Sequence, residues 1–112
     1  MELQYIKKLE NIEKLATAQL EILEKRNDLS DKDKKEIYNT LIPEITCVFI
    51  GYATYPDDSK VEEIYNKLVD RMSKYLESKE DKVLRDRYNM LKSFRPLKTN
   101  KKTLTNWIFK SD

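Results

Sequence analysis

From Leu3 to Leu23, apolar residues return every three or four positions: Leu3, Ile6, Leu9, Ile12, Leu15, Ala16, Leu20 and Leu23. Lys7, Lys8, Glu10, Glu13, Lys14, Glu21, Glu24 and Lys25 fill the opposite face. That is the period of an amphipathic helix, predicted over 3–26 and ended by Asn27-Asp28. At 1.5 Å per residue it spans ~36 Å. A second stripe runs through Ile37, Leu41, Ile45, Val48 and Tyr52, widened by Tyr38, Ile42 and Phe49. Ser30 is its expected N-cap, with Asp31 and Asp33 facing the positive end of the helix dipole. Over 45–53 the chain is apolar nearly all round, which suggests a central, buried helix. Pro43 should kink or break it near Ile42. The run Ile45-Thr46-Cys47-Val48-Phe49-Ile50 has strong β-propensity, so residues 44–55 stand between helix and strand. We read helix, because the period continues through Pro43 and no partner strand is visible.

After the Tyr55-Pro56-Asp57-Asp58 loop, Ser59-x-x-Glu62 has the pattern of a capping box. A third helix follows, with Val61, Ile64, Leu68, Met72, Tyr75 and Leu76 on one face. Ser78-x-x-Asp81 resembles a second box. The fourth helix carries Val83, Leu84, Tyr88, Leu91 and Phe94 and stops before Pro96. The turn between helices three and four is very short, so they should form an antiparallel hairpin. The expected fold is all-α: an antiparallel four-helix bundle over 1–95, with a short C-terminal helix or arm over 96–112.

Composition agrees with this. In 112 residues, 38% are charged, 39% are apolar and one is Gly. That excludes a β-sandwich, which needs many turn residues, and disorder, which lacks regularly spaced apolar residues. There is no His, which removes the commonest general base, metal ligand and pH switch, any Ser-His-Asp arrangement, and the Glu-x-x-His pairs of a di-iron bundle. Cys47 is the only cysteine, which excludes an internal disulfide and a Cys-based zinc site. A lone thiol fits a reducing compartment, and with no basic neighbour in sequence Cys47 reads as a structural thiol. The N-terminal Met-Glu-Leu-Gln-Tyr-Ile-Lys-Lys has no apolar core of a signal peptide, and the apolar stretch 41–55 is too short to span a membrane. A cytoplasmic protein is expected.

Candidate chemistry is sparse. The tyrosines and phenylalanines fall mostly on the helical stripes, which implies packing with hydroxyls reaching the surface, while Tyr52 and Tyr55 flank a loop. A calcium loop read from Asp28 would place Lys32 at a ligand position and Asn39 where a bidentate Glu belongs. An enzyme would need a carboxylate pair or a tyrosine in a pocket, and nothing in the sequence places two such groups together; Glu44 and a tyrosine converging in a pocket would reopen that reading. The chain reads as non-enzymatic, with no catalytic residue, metal or cofactor.

The most informative feature is the tail. From Lys92 to Asp112 there are six basic residues (Lys92, Arg95, Lys98, Lys101, Lys102 and Lys110) and one acid, a charge of +5 against −3 for residues 1–91. Within it lies Leu104-Thr105-Asn106-Trp107-Ile108-Phe109. We expect Trp107, Ile108 and Phe109 to anchor a partner protein, while Arg95, Lys98, Lys101 and Lys102 steer toward an acidic surface. One alternative is that Leu104, Trp107 and Ile108 fold back to plug one end of the bundle. Another is nucleic-acid binding, with Arg85, Arg87, Lys92 and Arg95 joining the tail on phosphates, against which stand Glu80, Asp81 and Asp86. The first helix is also long enough to dimerise as a coiled coil, so monomer and dimer both remain open.

Glu63-Ile64-Tyr65-Asn66-Lys67-Leu68-Val69, Ser78-Lys79-Glu80-Asp81-Lys82-Val83-Leu84 and the tryptophan-bearing tail together resemble the immunity proteins of class IIa (pediocin-like) bacteriocins. The resemblance covers about half the chain: helices three and four and the tail. It implies a small cytosolic four-helix bundle whose C-terminal end recognises a toxin–receptor complex. A steric inhibitor encoded by a phage or plasmid, or a small adaptor, fits the same residues.

Overall fold

The computed structural model describes residues 3–93, and these form four α-helices with no strand among them. They are α1 (Leu3–Lys25), α2 (Asp31–Thr54), α3 (Ser59–Ser78) and α4 (Lys82–Ser93). The all-α bundle expected from the hydrophobic period is the fold observed.

Direction follows from side-chain contacts. Tyr5 of α1 meets Tyr55 edge to face with centroids 5.6 Å apart, so the start of α1 lies at the end of α2. Phe49 and Tyr52 of α2 meet Tyr65 near the start of α3. Along α3 and α4, the Ser73 and Tyr88 hydroxyls lie 3.4 Å apart, and Arg85 donates to the Leu76 carbonyl at 2.9 Å. Successive helices are therefore antiparallel, and α3–α4 is the expected hairpin. α1, α2 and α3 pack on one another, while α4 lies along α2, with Tyr88 edge to face with Phe49 at 6.2 Å. Ile6, Leu9, Ala16, Leu20 and Leu23 bury their side chains against Leu41, Ile45, Val48, Val61, Leu68 and Met72. Arg71 ties α3 to Glu24 of α1 at 2.7 Å in a half-buried ion pair.

The helix read for this stretch is observed, and α2 corrects two other expectations, the break at Pro43 and the all-round burial. It runs unbroken through Pro43, so residues 44–54 are helix and neither a break nor a strand. The ring removes the N–H that would have bonded the Asn39 carbonyl, but Asn39 and Pro43 are both exposed, so water reaches that carbonyl. The segment 45–53 is also not buried all round: Ile50 is 58% exposed. Elsewhere the stripes are narrower than the sequence implies. Leu3, Leu15 (57% exposed) and Val83 (57% exposed) fall outside the core. Leu15 stands one position, 100° of helix rotation, from fully buried Ala16, and Val83 stands likewise beside fully buried Leu84. Cys47 is half-buried against the core.

The helix starts are built as caps. Ser30 and Asp33 form the reciprocal box at α2: the Asp33 N–H donates to Ser30 Oγ at 3.1 Å and the Ser30 N–H to Asp33 Oδ2 at 3.4 Å. At α3 the expected box does not form. Asp58, one residue before Ser59, is the cap and accepts from the Lys60 and Val61 N–H groups. At α4 the cap is Asp81 itself, whose carboxylate accepts from the Leu84 N–H at 3.0 Å. Ser78 instead closes α3 by donating to the Tyr75 carbonyl.

Candidate functional site

Of the apolar residues left out of the core, Leu3, Leu15 and Ile22 are spread along α1, whereas Ile50, Val83 and Met90 lie where α2 and α4 run side by side. Ile42, Thr46, Phe49, Ile50 and Ala53 recur at helical spacing, and α4 lies parallel to α2 beside them. Thr46, Phe49, Ile50, Ala53 and Leu91 line an almost wholly apolar groove of about 270 Å³. Further back along the two helices, Ile42, Val83 and Met90 line a second depression, rimmed by Asp86 and Arg87. The helical period places both on one seam, which covers α2 from Ile42 to Ala53, about 16 Å of helix. Ile50, Val83 and Met90 (45% exposed) project from it. Scattered exposed apolar residues are ordinary; here two neighbouring depressions share the α2–α4 side.

The far end of the same helix pair holds a buried polar node. Asp81 is only 8% exposed, and its Oδ2 accepts from the hydroxyls of Tyr38 and Tyr75, each at 2.6 Å. Burial, and then the hydrogen bond and negative charge of Asp81, push both phenols well above the ordinary tyrosine value. These hydroxyls do not reach the surface as the sequence suggests. They join α2 and α3 to the start of α4, and so fix how α4 lies along the seam.

Glu44 does not converge with a tyrosine in either depression of the seam. Its carboxylate oxygens are shielded from water without meeting hydrogen-bond geometry, although the Gln19 amide is near enough to temper the effect of burial, which pushes its pKa up. Among the described residues no group of His, Cys, Asp or Glu is arranged to hold a metal ion. None of the described helices is long and apolar enough to cross a membrane.

The candidate tail residues Arg95, Lys98, Lys101, Lys102, Trp107, Ile108 and Phe109 lie outside the described residues. Those on α4 are placed but dispersed: Arg85 bonds the Leu76 carbonyl, Arg87 rims the seam beside Asp86, and the Lys92 ammonium lies 5.2 Å from the Tyr88 ring centroid. Tyr52 stacks at a tilt on Tyr65 at 4.2 Å, which leaves Tyr55, against Tyr5, as the exposed member of the loop pair. The seam itself was not anticipated from the sequence. Its signal was present, in the apolar residues of α2 that exceed a single stripe.

The fold and seam define a small helical bundle with one apolar side left open. Set against known proteins, the chain matches no family model, no curated protein and no solved structure.

Proposed function

We propose that the chain is a non-enzymatic protein-binding module of the cytoplasm that recognises a partner protein sterically, as an immunity protein, a phage- or plasmid-encoded inhibitor or a small adaptor. One observation carries this reading: the apolar seam of exposed Ile50, Val83 and Met90 with half-buried Ile42 along α2 and α4. Such a strip between parallel helices suits the apolar face of a partner helix, whose side chains would enter at three- and four-residue spacing. Trp107, Ile108 and Phe109 would add aromatic contact from the tail, and Arg95, Lys98, Lys101 and Lys102 would speed encounter with an acidic partner. The resemblance to class IIa immunity proteins supports the same class of role.

The test is affinity capture of the tagged full chain from host lysate, with and without nuclease, beside Ile50→Lys and Trp107→Ala. The expected result is one discrete protein that survives nuclease and is lost with Ile50→Lys. Retention at unchanged affinity in Trp107→Ala removes the anchoring role of the tail. Capture that disappears with nuclease overturns the reading in favour of phosphate binding.

A further inference from the structure

We infer that Leu104–Phe109 of this same chain occupy the α2–α4 seam when no partner is bound. The inference rests on the partner-binding reading only for its consequence: a partner must displace the tail, and in doing so it frees the seam and Trp107 together.

Position comes first. α4 ends at Ser93, two residues beyond Leu91, which lines the groove with Ile50 and Ala53. The chain continues from there for nineteen residues. Leu104 is eleven residues past Ser93, and an extended chain of that length spans roughly 36 Å, more than twice the seam. The tail can therefore return to any point between Ala53 and Ile42.

Chemistry points the same way. Leu104, Trp107 and Ile108 fall at i, i+3 and i+4, and Phe109 follows, giving an apolar cluster of the kind a groove between helices accepts. Lys101, Lys102 and Lys110 flank it and can stay in water. Asp86 rims the seam, and Asp57 and Asp58 follow the end of α2 where the tail departs, so acids lie along the path of a basic segment. Tethering adds the decisive advantage. A segment joined by a short linker sees its site at an effective concentration in the millimolar range, which a free competitor must overcome.

Trp107 is the only tryptophan, so it reports on itself. The experiment reads its fluorescence in the purified full chain. Docking predicts blue-shifted emission and protection from acrylamide, both independent of protein concentration. Ile50→Lys and, separately, Met90→Lys should move the emission red and raise quenching severalfold, with unchanged far-ultraviolet circular dichroism. Both positions are exposed, so the fold does not depend on them. Leu15→Lys, equally exposed but on α1, should leave the signal as it is. The inference is overturned if Trp107 in the native chain is as quenchable as a free indole. It is overturned if protection is lost on dilution, since the occupant is then a second copy. It is also overturned if neither seam variant changes the signal, since the tail then docks elsewhere. No partner enters this experiment, so its failure leaves the partner reading standing, and failure to capture a partner leaves the docking standing.

Discussion

Asp81 shows how much of this fold turns on one side chain. A single carboxylate caps α4, receives Tyr38 from α2 and receives Tyr75 from α3. Hydrogen bonds to a buried ionised group contribute about 1.5–3 kcal/mol each, and losing one leaves the acceptor under-satisfied. Both phenols are held above their ordinary value of 10.0, which fixes the sign of a pH effect. Below that value the phenols are neutral in both states and the contribution is complete. Above it the unfolded chain releases protons that the folded chain keeps, so stability falls as pH rises. The urea midpoint should therefore drop between about pH 9 and about pH 11, the window opened by the ordinary tyrosine value. Tyr75→Phe should cost about 2 kcal/mol at neutral pH and flatten that decline. A variant that keeps the full alkaline slope would place its origin elsewhere, in Tyr5 and Tyr65, whose phenols burial also pushes up.

At the scale of the element, the sequence is a good guide wherever structure is local. Ser30 and Asp33 cap α2 as their spacing implies, because both partners lie within one turn. The start of α3 is ambiguous in the sequence because Asp57, Asp58 and Ser59 are three good caps in a row, and the one used is Asp58. Asp81 was legible as a polar residue near a helix start, but not as the buried node, since Tyr38 lies 43 positions away. The period separates Val48, on the stripe and fully buried, from Ile50, off the stripe and exposed, but it cannot say whether an apolar residue off the stripe finds a neighbour, and the all-round apolar run 45–53 implied that Ile50 would. Pro43 shows the opposite failure, a local signal overridden. Leu41 and Ile45 anchor the helix on either side of it, and their burial outweighs the missing hydrogen bond. Because Pro43 is exposed, Pro43→Ala should restore the Asn39 bond and gain about 1–3 kcal/mol from helix propensity. A higher urea midpoint at unchanged slope is the expected result. A lower one would mean that the course Pro43 gives α2 is needed to pack both of its halves.

Across the whole molecule, α2 is the element with two different sides, and Gly51 and Ile50 mark them. Gly51 is buried against α1: a Cβ there would lie 3.1 Å from Leu9 Cδ1 and 3.1 Å from Tyr5 Oη. Its neighbour Ile50 faces the open seam. A glycine inside a helix costs about 1 kcal/mol relative to alanine, so the close approach of α1 offsets that cost. The two atoms an added methyl would meet are both side-chain ends: Tyr5 is half-buried and can swing outward, whereas Leu9 is locked in the core. Gly51→Ala should therefore lie within about 1 kcal/mol of the native chain, because the better helix propensity is opposed by crowding at Leu9. Gly51→Val, with two further methyl groups at the same place, should destabilise by about 2–3 kcal/mol. Because the strain falls on the α1 side, Gly51→Val should keep the Trp107 signal and partner capture at temperatures where it remains folded. Ile50→Lys should do the reverse: the bundle stays folded, the urea midpoint falls only by what the undocked tail contributed, and binding is abolished. If instead Gly51→Val abolishes binding while folded, the two sides of α2 are coupled, and the seam depends on how tightly α1 closes behind it.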